Sequence, residues 1–180
     1  MTSALSFSLV WLALMLSFFK NQAFKIKFFF SVFILILSNI PIIYHLSLNQ
    51  WALSFISPLS TFSTLIIFAY VGFFFNLFKK APLDNFYSNL IIACFSLLLL
   101  SDILGFLSFS IYHHFYISVG FAGIFCAFLF LSNSLLGFLA LLALLSYIFS
   151  TNLQLLDTLF DAPLFLISCL NLLYCYKKRL

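Results

Sequence analysis

Residues 115–151 read FYISVGFAGIFCAFLFLSNSLLGFLALLALLSYIFST and contain no charged side chain. A membrane-crossing helix needs about 20 mostly apolar residues, so this stretch is too long for one crossing. The polar triplet Ser132-Asn133-Ser134 divides it near its centre. The stretch therefore predicts two crossings, Phe115–Leu131 and Ser134–Thr151, joined by a tight turn.

The whole chain is similarly rich in apolar residues and poor in charged ones. Hydrophobic residues make up 65% of its 180 residues and charged residues 7%, whereas soluble domains carry about 25% charged residues. A small domain cannot hide so much apolar surface in its own core. In lipid, backbone groups must pair internally, which leaves helices or closed barrels, and the long apolar runs lack the alternation of barrel strands. Composition therefore predicts an all-α, polytopic transmembrane helical bundle in a lipid bilayer, with residues 1–180 as one integral membrane domain.

Five further apolar segments bring the bundle to about seven spans. Pro58 suits the first position of the third span, with Ser57 as its N-cap, and Asp161 is the expected N-cap of the last. The five segments are Ser3–Phe19, Phe28–Leu46, Pro58–Phe78, Ser88–Ile111 and Ala162–Tyr176.

The basic residues fall into three clusters. Cationic loops stay on the cytoplasmic side of a membrane, and seven spans put all three clusters on one side. This predicts an N-terminus outside and a C-terminus in the cytoplasm, in a bacterial inner (plasma) membrane. The clusters are Lys20, Lys25 and Lys27; Lys79 and Lys80; and Lys177, Lys178 and Arg179.

Residues 152–161, NLQLLDTLFD, predict a short amphipathic helix lying in the membrane interface. Gln154, Asp157, Thr158 and Asp161 recur at the spacing of one helix face, opposite leucine and phenylalanine. Asp157 and Asp161 would then project one turn apart from its wet side. They are candidate binding residues, or simply part of a solvated polar face.

Asp102 is an ionisable residue deep inside a predicted span. A carboxylate there should face the bundle interior and have a partner. If its helix continued to His113, the two side chains would share one face, and Thr61 and Thr64 of the third span would lie at similar depth. This predicts a polar pocket open to the outside, unless Asp102 only joins helices by hydrogen bonds.

The three histidines, His45, His113 and His114, fall on the predicted outer face. His113 and His114 are candidate catalytic residues and His45 a candidate binding residue. Residues of an interfacial aromatic belt are the alternative. We expect no metal and no cofactor, because adjacent histidines on a helix point about 100° apart and no cysteine pair forms a C-x-x-C motif.

The sequence constrains the function of the protein less than it constrains the fold class. Neither G-x-S-x-G nor H-E-x-x-H occurs, and small residues recur at helix-packing spacing in spans five and six. We expect a non-enzymatic subunit or scaffold of an envelope complex, with other membrane subunits and no nucleic acid as partners. One alternative is a small solute or ion transporter with its pocket around Asp102. Another is a membrane enzyme acting on a lipid or lipid-linked substrate at the outer surface through Asp102, His113 and His114.

Overall fold

The computed structural model describes residues 2–20, 22–43, 45–56, 58–149 and 154–179. Helices dominate this part of the chain, which confirms the all-α class, and the exception is an antiparallel hairpin of β1 (Pro41–Ile43) and β2 (Leu46–Ser47). The helices are α1 (Thr2–Phe18), α2 (Phe24–Asn39), α3 (Leu48–Phe55), α4 (Thr61–Phe74), α5 (Phe86–Ile103), α6 (Phe115–Ser132), α7 (Ser134–Ile148) and α8 (Ala162–Arg179).

The chain divides into two compact units. Unit 1 comprises Met1–Leu59 and Ile66–Ala81, and unit 2 comprises Ser60–Leu65 and Pro82–Leu180. Helix α4 therefore begins in unit 2 and ends in unit 1. The single membrane domain expected over residues 1–180 stays a prediction.

In unit 1, α1 packs against α2 and α3 around a group of hydroxyl and amide side chains. The Ser8 hydroxyl accepts hydrogen bonds from Nδ2 of Asn39 at 3.1 Å and Nδ2 of Asn49 at 2.8 Å. Asn49 also donates to Oδ1 of Asn39 at 3.0 Å. Because polar groups away from water need partners, this cluster fixes how the three helices meet.

The second predicted span, Phe28–Leu46, is wrong at both ends. Helix α2 begins earlier, at Phe24, and ends at Asn39, before Pro41. A proline disfavours the helical conformation of the residue before it, and Ile40 is extended, with φ −78° and ψ 132°. The chain then forms the β1–β2 hairpin and α3, which a capping box between Ser47 and Gln50 starts.

Helix α5 ends at Ile103 rather than at the predicted Ile111. The N–H of Phe106 donates to the carbonyl of Ser101, and the N–H of Gly105 donates to the carbonyl of Asp102, both at 2.9 Å. These two bonds form a Schellman motif, which needs a left-handed residue, here Gly105 with φ +77°. The chain therefore leaves the helix axis one turn after Leu99, and residues 104–114 fold back as a loop.

The same motif ends α4 at Phe74, before the predicted Phe78. Asn76 takes the left-handed position with φ +62°. Its N–H and that of Leu77 donate to the carbonyls of Phe73 and Gly72, both at 2.9 Å. Asparagine is one of the few residues besides glycine that visits this conformation readily.

In unit 2, α6 and α7 form the predicted tight hairpin. Asn133 connects them and caps α7, its side chain accepting from the N–H of Leu135 at 3.1 Å. Of the small residues predicted to pack these helices, Ser118, Ala122 and Cys126 on α6 and Gly137, Ala140 and Ala143 on α7 are buried, whereas Gly120 and Gly123 on α6 are exposed.

Phe125 lies at the centre of unit 2 and is fully buried. Its ring contacts those of Phe62, Phe95 and Phe160, with centroids 5.9, 5.3 and 4.6 Å away. These aromatic contacts, each worth about 0.5–1.5 kcal/mol beyond burial, join the start of α4, α5, α6 and the segment before α8.

Two of the described helices, α5 and α6, are long and apolar enough to cross a membrane by length and composition. The other apolar helices are shorter, at Leu5–Phe18, Thr61–Phe74, Ser134–Ile148 and Ala162–Lys177. Helices α6, α7 and α8 begin at the residues that the sequence predicted, Phe115, Ser134 and Ala162.

Candidate functional site

Asp102 is buried in the last turn of α5, and the loop that folds back from this helix supplies its partners. Oδ2 accepts hydrogen bonds from the backbone N–H of Tyr112 at 2.8 Å and from the Ser110 hydroxyl at 3.3 Å. The expectation that this carboxylate faces inward and is paired is confirmed. The expectation that α5 continues to His113 is wrong, because the helix ends at Ile103.

Tyr112 connects this carboxylate to a second one. Its hydroxyl donates to Oδ1 of Asp157 at 2.5 Å. Burial, together with the hydrogen bond to Asp157 and the charge of that residue, raises the pKa of Tyr112 from 10.0 to about 12. We call Asp102, Ser110, Tyr112 and Asp157 the polar bridge, because it ties the end of α5 to the loop at 104–114 and that loop to the segment before α8.

The predicted amphipathic helix over 152–161 is wrong for the residues that the structure describes. Residues 154–161 contain one 3₁₀ turn, Leu156–Thr158, and the beginning of the predicted helix lies outside the described residues. Thr158, expected on the wet face, is fully buried, and its hydroxyl donates to the carbonyl of Leu155 at 2.7 Å. Asp157 therefore points to Tyr112 from a short turn that packs against α7 within unit 2, not from an interfacial helix.

The Asp161 carboxylate accepts hydrogen bonds from backbone N–H groups at the starts of two helices. Its Oδ1 accepts from the N–H of Leu164 at 2.7 Å, which confirms its predicted role as N-cap of α8. Its Oδ2 accepts from the N–H of Ser60 at 2.7 Å, directly before α4. One carboxylate thus satisfies backbone donors at two helix starts, 101 residues apart in the sequence.

The threonines of α4 follow Ser60, the residue whose N–H binds Asp161. Thr61 is the first residue of α4 and half-buried, and Thr64 donates to the carbonyl of Ser60 at 3.0 Å. Ser60 caps the helix, since its hydroxyl accepts from the N–H of Ser63 at 3.1 Å. The predicted helix start at Pro58 is therefore wrong, and the predicted cap Ser57 lies outside the described residues.

All three histidines are exposed. His113 and His114 are exposed at the end of the loop, and the N–H of His113 donates to the Ser110 hydroxyl at 3.2 Å. His45 is exposed in unit 1, in the hairpin turn, with φ +62°. Among the described residues, no three histidine, cysteine, aspartate or glutamate side chains lie close enough together to hold a metal ion.

The sequence did not single out Ser110 and Tyr112 as partners of the acids. Gly105, just after the polar end of α5, is the signal that could have revealed the turn bringing them back. Three carboxylates, Asp102, Asp157 and Asp161, accept hydrogen bonds from backbone N–H groups or from a tyrosine. Chemically, this arrangement holds chain segments together, and the catalytic and binding roles of the candidate residues stay predictions.

Comparisons with protein-family profiles, curated proteins and solved structures find no match to this chain.

Proposed function

We propose that this chain is a non-enzymatic, multi-pass helical protein of a bacterial inner membrane that serves as a subunit or scaffold of an envelope complex. One observation carries the membrane part of the proposal. Only 33% of α5 and 28% of α6 is buried inside the protein, although both are 18-residue apolar helices. The core helix of a soluble protein is mostly buried, so lipid is the better environment for the remaining surface.

The side chains on these two helices support the same reading. Large apolar residues face outward along α6, from Ile124 at 54% exposure through Phe128 at 48% to Leu131 at 85%. On α5, Leu97 is 54% exposed. Water contact costs about 25 cal/mol for each Å² of such surface, whereas lipid tails remove this cost.

The proposed topology has seven crossings, by α1, α2, α4, α5, α6, α7 and α8, with the N-terminus outside and the C-terminus in the cytoplasm. At 1.5 Å per residue, α5 and α6 span about 27 Å, close to the bilayer core of about 30 Å. Helix α4, with 14 residues, spans about 21 Å. A shorter helix is accommodated by local thinning of the bilayer or by flanking residues.

The hydrogen bonds of the acidic residues support the scaffold part of the proposal. Asp161 caps α8 and binds the N–H of Ser60, and the polar bridge pairs Asp102 and Asp157 with a loop. A carboxylate engaged in this way serves structure, since removing it would leave backbone N–H or hydroxyl donors unpaired.

Cysteine labelling tests the membrane environment. Cys94 lies in the middle of α5 and is exposed from the protein, whereas Cys126 on α6 is buried. In variants that keep one cysteine each, we expect neither thiol to react with a water-soluble maleimide in native membranes, because the reagent does not reach a thiol that faces lipid or the protein interior. Both should react after denaturation in sodium dodecyl sulfate.

The control is Lys80→Cys in a cysteine-free chain, because Lys80 is exposed beyond the end of α4. This thiol should react in the native protein, and an impermeant maleimide should reach it only from the cytoplasmic side. Rapid labelling of native Cys94 would mean that the exposed face of α5 meets water, and the membrane proposal would then be wrong. Labelling of Lys80→Cys from outside would overturn only the orientation.

Asp102→Asn separates the scaffold proposal from the transporter and enzyme alternatives. The asparagine oxygen can accept the same two hydrogen bonds, so the fold and the recovery of cross-linked partner subunits from native membranes should be unchanged. A transporter or enzyme that depends on the carboxylate would lose function while keeping its fold. Such a loss of the cellular phenotype, with normal protein level and partner recovery, would reject the scaffold proposal.

A further inference from the structure

The charges of the chain are divided between the two units. All four acidic residues lie in unit 2: Asp84, Asp102, Asp157 and Asp161. Unit 1 contains no acidic residue and holds five of the eight basic residues: Lys20, Lys25, Lys27, Lys79 and Lys80. Nothing within unit 1 can neutralise these cations by an ion pair.

Three contacts bring the two lysine-bearing segments of unit 1 together. Lys27, 3% exposed, donates from Nζ to the carbonyl of Phe74 at 2.8 Å. The Nζ atom of Lys20 lies 5.4 Å from the ring centre of Phe73, and the rings of Phe24 and Phe75 are 5.4 Å apart. Lys20, Phe24 and Lys27 therefore pack directly against the C-terminal end of α4 and the residue after it.

The buried lysine also has an electrostatic role. A helix C-terminus carries partial negative charge on its unpaired carbonyls, which a cation stabilises. The ammonium group of Lys27 stabilises this end of α4, so its charge is not available to a ligand outside the protein. The other four lysines of unit 1 keep exposed side chains, and we call them the lysine collar: Lys20, Lys25, Lys79 and Lys80.

Apolar side chains next to the collar are also exposed. Phe24 is 65% and Leu77 76% exposed, one beside Lys25 and the other two residues before Lys79. Ammonium groups beside exposed apolar side chains match the boundary between phosphate headgroups and acyl chains. A nucleic acid would satisfy the charges but leave these apolar side chains in water.

We propose that the lysine collar binds the phosphate headgroups of anionic phospholipids in the leaflet at this end of unit 1. The inference rests on the proposed insertion of the chain in a membrane. The ammonium groups bind phosphate oxygens through charge-assisted hydrogen bonds, and the neighbouring Phe24 and Leu77 contact the acyl chains of the same lipids. Asp84, the acid nearest to the collar in the sequence, is exposed and belongs to unit 2.

The test uses the full chain in vesicles of phosphatidylcholine alone and of phosphatidylcholine mixed with phosphatidylglycerol. After extraction in mild detergent, mass spectrometry measures how much of each lipid stays with the protein. We expect the wild type to retain phosphatidylglycerol in preference to phosphatidylcholine. Because each lysine near an anionic surface contributes a factor of about five, the variant Lys25→Gln/Lys79→Gln/Lys80→Gln should lose at least about ten-fold of this preference.

The matched control is Lys177→Gln/Lys178→Gln/Arg179→Gln, which removes the same number of positive charges from unit 2. It should keep most of the preference. An equal loss in both variants would show that net charge alone attracts the lipid and would overturn the collar. If an oligonucleotide is added to the vesicles and the protein retains it rather than phosphatidylglycerol, the collar proposal is also overturned.

The same experiment distinguishes a failure of the collar proposal from a failure of the membrane proposal. A wild type that inserts in pure phosphatidylcholine but shows no lipid preference contradicts the collar and leaves the membrane proposal standing. A wild type that does not insert in either vesicle contradicts the membrane proposal itself.

Discussion

The hydroxyl of Tyr112 donates a hydrogen bond to Asp157, which lies 45 residues further along the chain. The backbone N–H of the same tyrosine donates to Asp102. One residue of the 104–114 loop thus contacts two acids that belong to different segments of unit 2. The position of this loop depends on both bonds.

Tyr112→Phe removes the bond to Asp157 and keeps the bond to Asp102. We expect a loss of about 1 kcal/mol in the free energy of unfolding, the usual net value of a hydrogen bond between half-buried groups. Unfolding in mixed detergent micelles, followed by circular dichroism, measures it. Tyr116→Phe is the control because Tyr116 is 89% exposed. Equal stabilities of the two variants would contradict a stabilising role of the bridge.

The pH dependence of the stability follows from the pair of Tyr112 and Asp157. The pKa of Tyr112 is raised from 10.0 to about 12, first by burial and then by Asp157. A raised pKa means that the fold favours the neutral phenol, so this stabilisation is complete below pH 10 and is lost as the pH rises through about 12. The stability difference between wild type and Tyr112→Phe should therefore shrink over this range.

Ultraviolet absorbance of the phenolate gives a direct check on this pKa. The difference between the titrations of wild type and Tyr112→Phe should have its midpoint near 12 rather than 10.0. Asp157→Asn should lower that midpoint, because it removes a charge that disfavours the phenolate. It should not return fully to the ordinary value, since burial is the larger cause. A wild-type midpoint at the ordinary value would contradict the geometry of the pair.

Asp161→Ala should be the most destabilising change among the acids. It removes the cap of α8, worth about 0.5–2 kcal/mol, and leaves the N–H of buried Ser60 unpaired, at about 1–3 kcal/mol. We expect a total loss of about 1.5–5 kcal/mol from these two sources. Asp161→Asn keeps one acceptor oxygen and should lose about half as much.

The control for Asp161 is Asp84→Ala, because Asp84 is exposed and such substitutions change stability by at most about 0.5 kcal/mol. Detergent-induced unfolding of the three variants ranks them. If Asp161→Asn were as damaging as Asp161→Ala, the loss of charge would be the cause and not the loss of the two backbone bonds.

The sequence predicted the features of this fold that depend on local chemistry. Asp161 before Ala162 predicted the cap of α8, and the polar triplet at Ser132 predicted the α6–α7 turn, because caps and turns need particular residues at particular positions. The burial of Asp102 followed from the cost of leaving a carboxylate in an apolar environment.

Other features, such as the end of α5 and the return of the 104–114 loop, were missed because the apolar composition of these segments does not reveal them. Residues 106–111 are apolar enough to continue α5, so the pattern favoured a longer helix, whereas the left-handed Gly105 ended it. The partner Tyr112 depends on where the resulting loop returns, which a hydrophobic pattern cannot specify. The capping box of Ser47 and Gln50 was readable in the sequence, but these residues were assigned to the connection between the second and third spans.

Glycine substitutions provide the sharpest test of the α6–α7 packing. A Cβ atom at Gly137 would lie 2.5 Å from Cγ of Phe130, so the ring would have to move. Gly137→Ala should therefore lose about 1–3 kcal/mol through overpacking, less the gain of up to about 1 kcal/mol that alanine brings to a helix. Gly123→Ala has no atom within 4 Å of the new Cβ and should be neutral or stabilising. Unfolding of both variants in micelles gives the comparison, and a stable Gly137→Ala would show that α6 and α7 do not approach as closely as Phe130 and Gly137 require.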